Sequence, residues 1–118
     1  MGIRDLDTID KIGTDKETGH VVLTMVDKHD WTDEMQHLYE LQEKINVYLS
    51  YIESGELYSD YPEFKGREID ILLCSQYEIP LKGIGFLHKA AEVVRNAGYH
   101  LKCIEWNPEG EENWKVIF

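Results

Sequence analysis

The feature that most constrains the fold is a helical period that runs from about residue 32 to residue 54. Six apolar side chains recur there at intervals of three and four residues and form one stripe at about 100° per residue: Leu38, Leu41, Ile45, Tyr48, Leu49 and Ile52. Gly55 follows, and glycine accepts the left-handed conformation that ends a helix. These residues predict a long amphipathic helix over 32–54, which must bury its stripe against another element.

Runs of strand-forming residues lie on both sides of this helix. VVLTMV, residues 21–26, is rich in β-branched and apolar residues whose side chains alternate between two faces, and it follows the turn-like GTDKETG. Residues 5–27 are therefore predicted to form a β-hairpin. REIDILLCSQY, residues 67–77, is apolar on both faces over residues 71–74, which is typical of a central strand. A second helix is expected over 82–97, on a stripe that includes Leu87 and Val94. YHLKCIEW and WKVIF then predict two strands, with NPEGEEN as the turn between them.

The element order ββαβαββ defines the expected architecture. The β–α–β stretch from residue 67 to residue 106 predicts a right-handed crossover with parallel pairing, while the flanking hairpins supply antiparallel pairs. We therefore expect an α+β fold, a two-layer sandwich of a mixed sheet with both helices on one face. A chain of 118 residues fits a single domain over 1–118. The segment GELYSDYPEFKG is expected to be an ordered loop whose aromatic side chains close one end of the core.

The charge of the chain is strongly acidic and uneven. The net charge is −11, and residues 31–66 hold eight acidic and two basic residues. Such a field repels phosphate backbones, which argues against nucleic acid, but it is compatible with a basic protein partner. The candidate binding residues are the acidic residues on the far side of the first helix and in the following loop, together with two loop tyrosines: Glu40, Glu43, Asp60, Glu63, Tyr58 and Tyr61. We also expect Glu40 to pair with Lys44, one helical turn later.

The cluster DKHDWTDEMQH, residues 27–37, allows a metal-site interpretation. Asp33 and His37 are four residues apart and share a helix face, and His29 could fold back toward them. This spacing matches no established zinc pattern, so we predict no bound metal. The three residues remain the basis of an alternative function as a small hydrolase or metal-dependent enzyme.

A structural interpretation explains more of the same cluster. Asp30 or Thr32 can cap the amino terminus of the helix, and acidic residues in its first turn, Asp33 and Glu34, complement the helix dipole. Trp31 would anchor the helix start by packing onto the hairpin. We favour this interpretation over a metal site.

No other motif indicates catalysis. Cys74 and Cys103 lie in apolar stretches and are expected to be buried free thiols in a reducing compartment. KGIGF, with Gly83 and Gly85, lacks the further residues of a phosphate-binding loop, so flexibility at the helix start is its expected role. We predict no catalytic residue and no cofactor. The sequence also lacks an apolar run long enough to span a membrane and the apolar region of a signal peptide, which favours a cytoplasmic protein.

Four segments together resemble a known family: DTIDKIGTD, VVLTMVDKHDW, HLYELQEKINVYLSYIESGELY and YPEFKGREIDILL. They are similar to a family of small, uncharacterised bacterial proteins known only as a domain of unknown function. The resemblance covers roughly residues 5–100. It implies a bacterial, cytosolic, single-domain protein, and it brings no activity, cofactor or catalytic residue to any position.

These observations favour a non-enzymatic protein-interaction module, of an adaptor or immunity-like kind, with an acidic surface. Two alternatives remain open at this point. One is the enzyme that would use His29, Asp33 and His37. The other is a small-molecule binder with a pocket under the aromatic loop of residues 58–64.

Overall fold

A computed structural model describes Ile3, Arg4, Leu6 and residues 8–106 and 114–118. The strands are β1 (Lys11–Thr14), β2 (Val21–Asp27), β3 (Ile69–Ser75), β4 (His100–Trp106) and β5 (Trp114–Val116). The helices are α1 (Glu34–Glu53), α2 (Glu56–Asp60) and α3 (Leu81–Asn96), and a short 3-10 turn spans Pro62–Phe64. The predicted succession of strands and long helices is confirmed, and the turn predicted over NPEGEEN, residues 107–113, lies outside the described residues.

The five strands form one mixed sheet in the order β1-β2-β3-β4-β5. β2, β3 and β4 are parallel, and β1 and β5 pair antiparallel at the two edges. The crossovers through α1 and α3 both step in the same direction across the sheet. Because such crossovers are right-handed, both helices lie on the same face, which confirms the expected two-layer α+β arrangement.

The core lies between this face and the helices. Alternate residues of β2, from Val21 to Met25, are fully buried and point toward the helices, while those between them are half-buried. The first helix contributes Leu41, Ile45, Tyr48 and Ile52, all buried as the helical period predicts. Leu87 and Val94 do the same from α3.

The start of α1 differs from the expected one. Asp33 is the capping residue, because its carboxylate accepts a hydrogen bond from the Gln36 amide at 3.1 Å. Asp30 instead accepts from the Thr32 amide at 3.1 Å and forms a separate turn before the helix. The prediction that Asp30 or Thr32 caps the helix is therefore wrong. Three residues that can cap a helix lie close together here, Asp30, Thr32 and Asp33. The last of them is the cap, so the helix begins later than expected.

The segment between α1 and β3 is more regular than a loop. Gly55 has a φ of 86°, in the left-handed region, and it ends α1 and precedes α2. The short helix α2 buries Leu57 in the core, and the 3-10 turn buries Phe64. The helix α2 has only five residues, which is too few for the spacing of its apolar side chains to show a helical period. The sequence therefore predicted a loop here.

Candidate binding groove

An open groove of about 790 Å³ runs along the outer side of α1. One wall is the amino-terminal segment before and within β1, and the opposite wall is α1. The start of α2 closes one end. The lining residues are Leu6, Thr8, Ile9, Ile12, Glu43, Asn46, Val47, Ser50, Tyr51, Ser54, Glu56 and Asp60.

The groove combines an apolar wall with an acidic rim. Its apolar side chains come mainly from the amino-terminal segment, with Val47 from the helix. Its charged side chains are Glu43, Glu56 and Asp60, and none of the described residues that line it is a lysine or an arginine. A ligand in this groove therefore meets three carboxylates without a competing positive charge.

Tyr51 holds one of these carboxylates in place. Its hydroxyl donates a hydrogen bond to Oδ2 of Asp60 at 2.7 Å, which links α1 to α2 across the end of the groove. Burial raises the pKa of Tyr51 above its ordinary value, and the hydrogen bond to Asp60 raises that pKa further. The phenol consequently stays protonated and continues to donate at neutral pH.

A buried polar network fixes the wall formed by the amino-terminal segment. Lys44, fully buried in α1, lies 3.3 Å from the Asp10 carboxylate and donates to the Thr8 carbonyl at 2.8 Å. Asp10 also accepts from the Val26 amide at 2.9 Å. The Tyr48 hydroxyl donates to the Thr24 carbonyl at 2.6 Å and accepts from the Asp10 amide at 3.0 Å. The network ties the segment to both β2 and α1.

The expected pair between Glu40 and Lys44 is thus a wrong prediction. Lys44 points inward to Asp10, and Glu40 accepts from Arg4 at 2.8 Å and from Gln36 at 3.3 Å. Burial opposes ionisation of Glu40, but the hydrogen bonds from Arg4 and Gln36 outweigh it and lower the pKa of that carboxyl. Helical spacing allowed the pair, but Asp10 offers Lys44 a buried partner that no local pattern reveals.

The structure brings together only some of the predicted binding residues. Glu43 and Asp60 line the groove, whereas Glu40 faces Arg4 and Glu63 is exposed on the 3-10 turn. Tyr58 and Tyr61 pack partly buried against the hydrophobic core, and Tyr61 stacks on Phe64 with ring centroids 5.1 Å apart. These aromatic side chains fill space against the core and do not line the groove.

Sequence reasoning missed the apolar wall and Glu56. Leu6, Ile9 and Ile12 are distant in sequence from α1, so only the fold brings them beside it. A partial signal exists within α1, because Glu43, Val47 and Ser50 recur at helical spacing on the side away from the core stripe.

Two residues of the metal-site interpretation, Asp33 and His37, have other partners, and the backbone amide of His29 donates to Oδ1 of Asp27 at 3.1 Å. Nε2 of His37 lies 2.5 Å from Oδ2 of Asp27, and its Nδ1 lies 2.8 Å from the Asp30 carbonyl oxygen. A carbonyl oxygen can only accept, so Nδ1 carries a proton in this arrangement. Asp33 caps α1, and no group of three or more histidines, cysteines or acidic residues within the described ranges is placed to hold a metal.

Asp27 belongs to a row of buried polar residues at the carboxyl ends of the three parallel strands. Ser75 and Glu105 follow it on β3 and β4. The Ser75 hydroxyl donates to the Tyr77 carbonyl at 2.7 Å, and Glu105 accepts from the Ile79 amide at 2.9 Å. These groups hold the loops that leave the sheet, at the edge where ligands of open α/β sheets bind in other proteins.

Trp31 connects this edge to α3. Its ring stacks on His37 with centroids 3.7 Å apart, and it lies close to Gly83 at the start of α3. Trp31 thus contacts the starts of both helices and also packs against the hydrophobic core. Its expected packing onto the hairpin stays a prediction.

Neither cysteine has the environment of a nucleophile. Both are free thiols, with Cys103 buried in the core and Cys74 half-buried on the opposite face of the sheet. Burial raises the pKa of Cys103 to about 12, and burial also raises the pKa of Cys74. Both thiols are protonated at neutral pH, so they are weak nucleophiles.

These features define an α+β protein with a mixed five-stranded sheet, helices on one face, and an acid-rimmed groove beside its longest helix. A family model described as a family of unknown function, DUF6572, matches residues 1–107, and the chain belongs to this family. No curated protein and no solved structure matches the chain. Across the described residues, no helix is long and apolar enough to cross a membrane.

Proposed function

We propose that this protein is a non-enzymatic interaction module, of an adaptor or immunity-like kind, that binds a basic protein partner through the groove beside α1. The observation that supports this proposal is the composition of the groove: an apolar wall, three carboxylates and no basic side chain among its described lining residues. A partner segment with apolar side chains on one side and lysines or arginines on the other matches both features.

The electrostatics of the chain support the same partner. A net charge of −11 attracts a basic protein from a distance, and the groove provides contacts once the partner has arrived. Rim carboxylates act mainly on the association rate, which falls as salt screens them. Apolar contacts along Ile9, Ile12 and Val47 would then slow dissociation.

The partner is first captured from cells that express the protein, and its binding rates are then measured. A Glu43→Lys, Glu56→Lys double variant should fold normally, because both residues are outside the core, and it should associate at least about tenfold more slowly. Raising the salt concentration should slow association of the wild type more than that of the variant.

A matched control separates contact in the groove from attraction by net charge. A Glu17→Lys, Glu78→Lys double variant changes two exposed residues away from the groove and brings the net charge to the same value, −7 instead of −11. This control should lose much less of the association rate. Equal losses in the two double variants would contradict a role for the groove.

A further inference from the structure

The strand β1 forms one edge of the sheet, and in the described part of the chain it pairs only with β2. The antiparallel register places Thr14 opposite Val21. The next pair along the ladder is hydrogen-bonded, since the Asp15 amide donates to the His20 carbonyl at 2.9 Å. Because hydrogen-bonded and non-hydrogen-bonded pairs alternate in an antiparallel ladder, the N–H and C=O groups of Ile12 and Thr14 point out of the sheet.

Ile12 belongs both to this edge and to the groove beside α1. It is paired with Leu23, which is fully buried toward the helices, and directly paired residues project to the same face of a sheet. The Ile12 side chain therefore enters the groove, whereas Lys11, one residue earlier, projects to the opposite face. A strand added to β1 would lie about 4.8 Å from it and run along the groove.

The groove side of α1 has a spacing that an extended segment can follow. Glu43 and Val47 are separated by about 6 Å along the helix, and alternate side chains of a strand are about 6.6 Å apart. From Glu43 to Ser54 the helix advances about 16 Å, which about five strand residues span. Glu56 and Asp60 lie beyond that end of α1. The groove therefore matches a segment whose inward face is basic at both ends and apolar between them.

We propose that the basic partner enters the groove as an extended segment and adds a strand to β1. This inference rests on the proposed function of the groove and specifies how the partner is recognised. Main-chain hydrogen bonds to Ile12 and Thr14 contribute affinity, and alternate side chains contribute specificity. Lysines or arginines of the segment face the carboxylates, and its apolar side chains contact Val47. A basic helix has its backbone groups bonded internally, so it could not use this edge.

A synthetic peptide tests this mode of binding without knowledge of the natural partner. Threonine alternates in it with lysine, isoleucine, valine and lysine, so one face of the extended peptide is basic at both ends and apolar in the middle. The protein should bind it with a Kd of about 10–100 μM in a calorimetric titration, and more weakly at high salt. No binding at about 1 mM peptide would overturn the proposal.

Backbone methylation of the peptide distinguishes a paired strand from other bound forms. Successive amides of a strand point to opposite edges, and only one edge of the added strand faces β1. N-methylation of one alternate set of amides should therefore weaken binding at least about tenfold, while methylation of the other set should leave the Kd nearly unchanged. Equal effects of the two sets, including no effect of either, would contradict strand addition.

A substitution in β1 tests the same contact from the side of the protein. Thr14→Pro removes an outward N–H and changes no residue that lines the groove, and proline is tolerated where the N–H of an edge strand points away from the sheet. It should weaken peptide binding about tenfold, whereas Thr14→Ala keeps the N–H and should not. Circular dichroism checks that both variants fold, and the methylated peptides decide the question if Thr14→Pro does not.

The outcomes separate this inference from the proposed function. The Glu43→Lys, Glu56→Lys double variant should weaken binding of the peptide through the loss of rim carboxylates. If it does so while Thr14→Pro and both methylated peptides bind normally, strand addition is wrong and the groove proposal stands. If the double variant and its Glu17→Lys, Glu78→Lys control bind the peptide equally well, the groove proposal itself is contradicted.

Discussion

At the scale of single residues, Gly83 at the start of α3 shows that a glycine expected to provide flexibility can instead be required by close packing. A Cβ on Gly83 would lie 2.7 Å from Cγ2 of Ile79 and 3.1 Å from the Trp31 ring. Ile79 is buried and branched at its Cβ, so its methyl group has little freedom to move away. Gly83 is thus fixed by close contact between α3 and the loop before it, rather than by the flexibility expected from the sequence. Gly85, two residues later, has open space around its Cα.

The two glycines give a paired prediction of opposite sign. Gly83→Ala should reduce the free energy of unfolding by about 1–3 kcal/mol, because overpacking outweighs the better helix propensity of alanine. Gly85→Ala should increase it by about 0.5–1 kcal/mol, because only the propensity term applies. Urea titrations of both variants measure the two changes. A stabilising Gly83→Ala would show that α3 does not approach Ile79 and Trp31 this closely.

At the scale of elements, α1 serves two surfaces of the molecule. Its apolar stripe packs into the core, and the side bearing Glu43, Val47 and Ser50 lines the groove. The helix also carries a buried lysine, Lys44, beside the stripe. Displacement of α1 would therefore change the core, the polar network and the groove together.

The contribution of the stripe can be tested at Ile45, which is 5% exposed in the middle of α1. Ile45→Ala should reduce the free energy of unfolding by about 2–5 kcal/mol, because the cavity would be poorly filled by its neighbours. Asn46→Ala changes the next, exposed residue and should increase the free energy of unfolding slightly, by less than about 1 kcal/mol, because alanine has the better helix propensity. Denaturant titration measures both. Similar values for the two variants would show that Ile45 does not belong to the core.

At the scale of the whole molecule, one buried ion pair holds together segments that are distant in sequence. Lys44 of α1 reaches Asp10 and Thr8 at the amino-terminal side of the sheet, and Asp10 in turn binds the amide of Val26 in β2. Charges this deeply buried are costly unless they are paired, so each partner depends on the other.

Removal of one partner should therefore be severe. Lys44→Met should reduce the free energy of unfolding by about 3–5 kcal/mol, because it removes the buried cation that lies 3.3 Å from the Asp10 carboxylate. Adding Asp10→Asn removes that charge and keeps an oxygen that can accept from the Val26 amide, so the double variant should recover a substantial part of the loss. Chemical unfolding of the single and double variants provides the comparison. A double variant no more stable than Lys44→Met would contradict the ion-pair explanation.

Local patterns determined the type and order of the main elements. The three- and four-residue spacing of apolar side chains located α1 and α3 to within one or two residues, and apolar β-branched runs located β2, β3 and β4. These signals depend on a periodicity that repeats over several turns or residues, and hence they are readable without knowledge of the neighbours. The five-residue helix α2 is too short to give such a signal. Asp30, Thr32 and Asp33 can each cap a helix, and the sequence pattern does not show at which of them the backbone becomes helical. Only the structure identifies Asp33 as the cap.

The tertiary structure alone decided which polar residues are partners and which surfaces are functional candidates. Lys44 meets Asp10 and His37 meets Asp27 because the fold brings separate elements together, whereas the sequence offered only nearby alternatives such as Glu40 and Asp33. The groove likewise needs a wall from Leu6, Thr8, Ile9 and Ile12 beside a helix that begins more than 20 residues later. The net acidity was evident from the sequence. Its concentration at the rim of a groove follows from strand register and the shared side of the two crossovers, which are long-range properties of the folded chain.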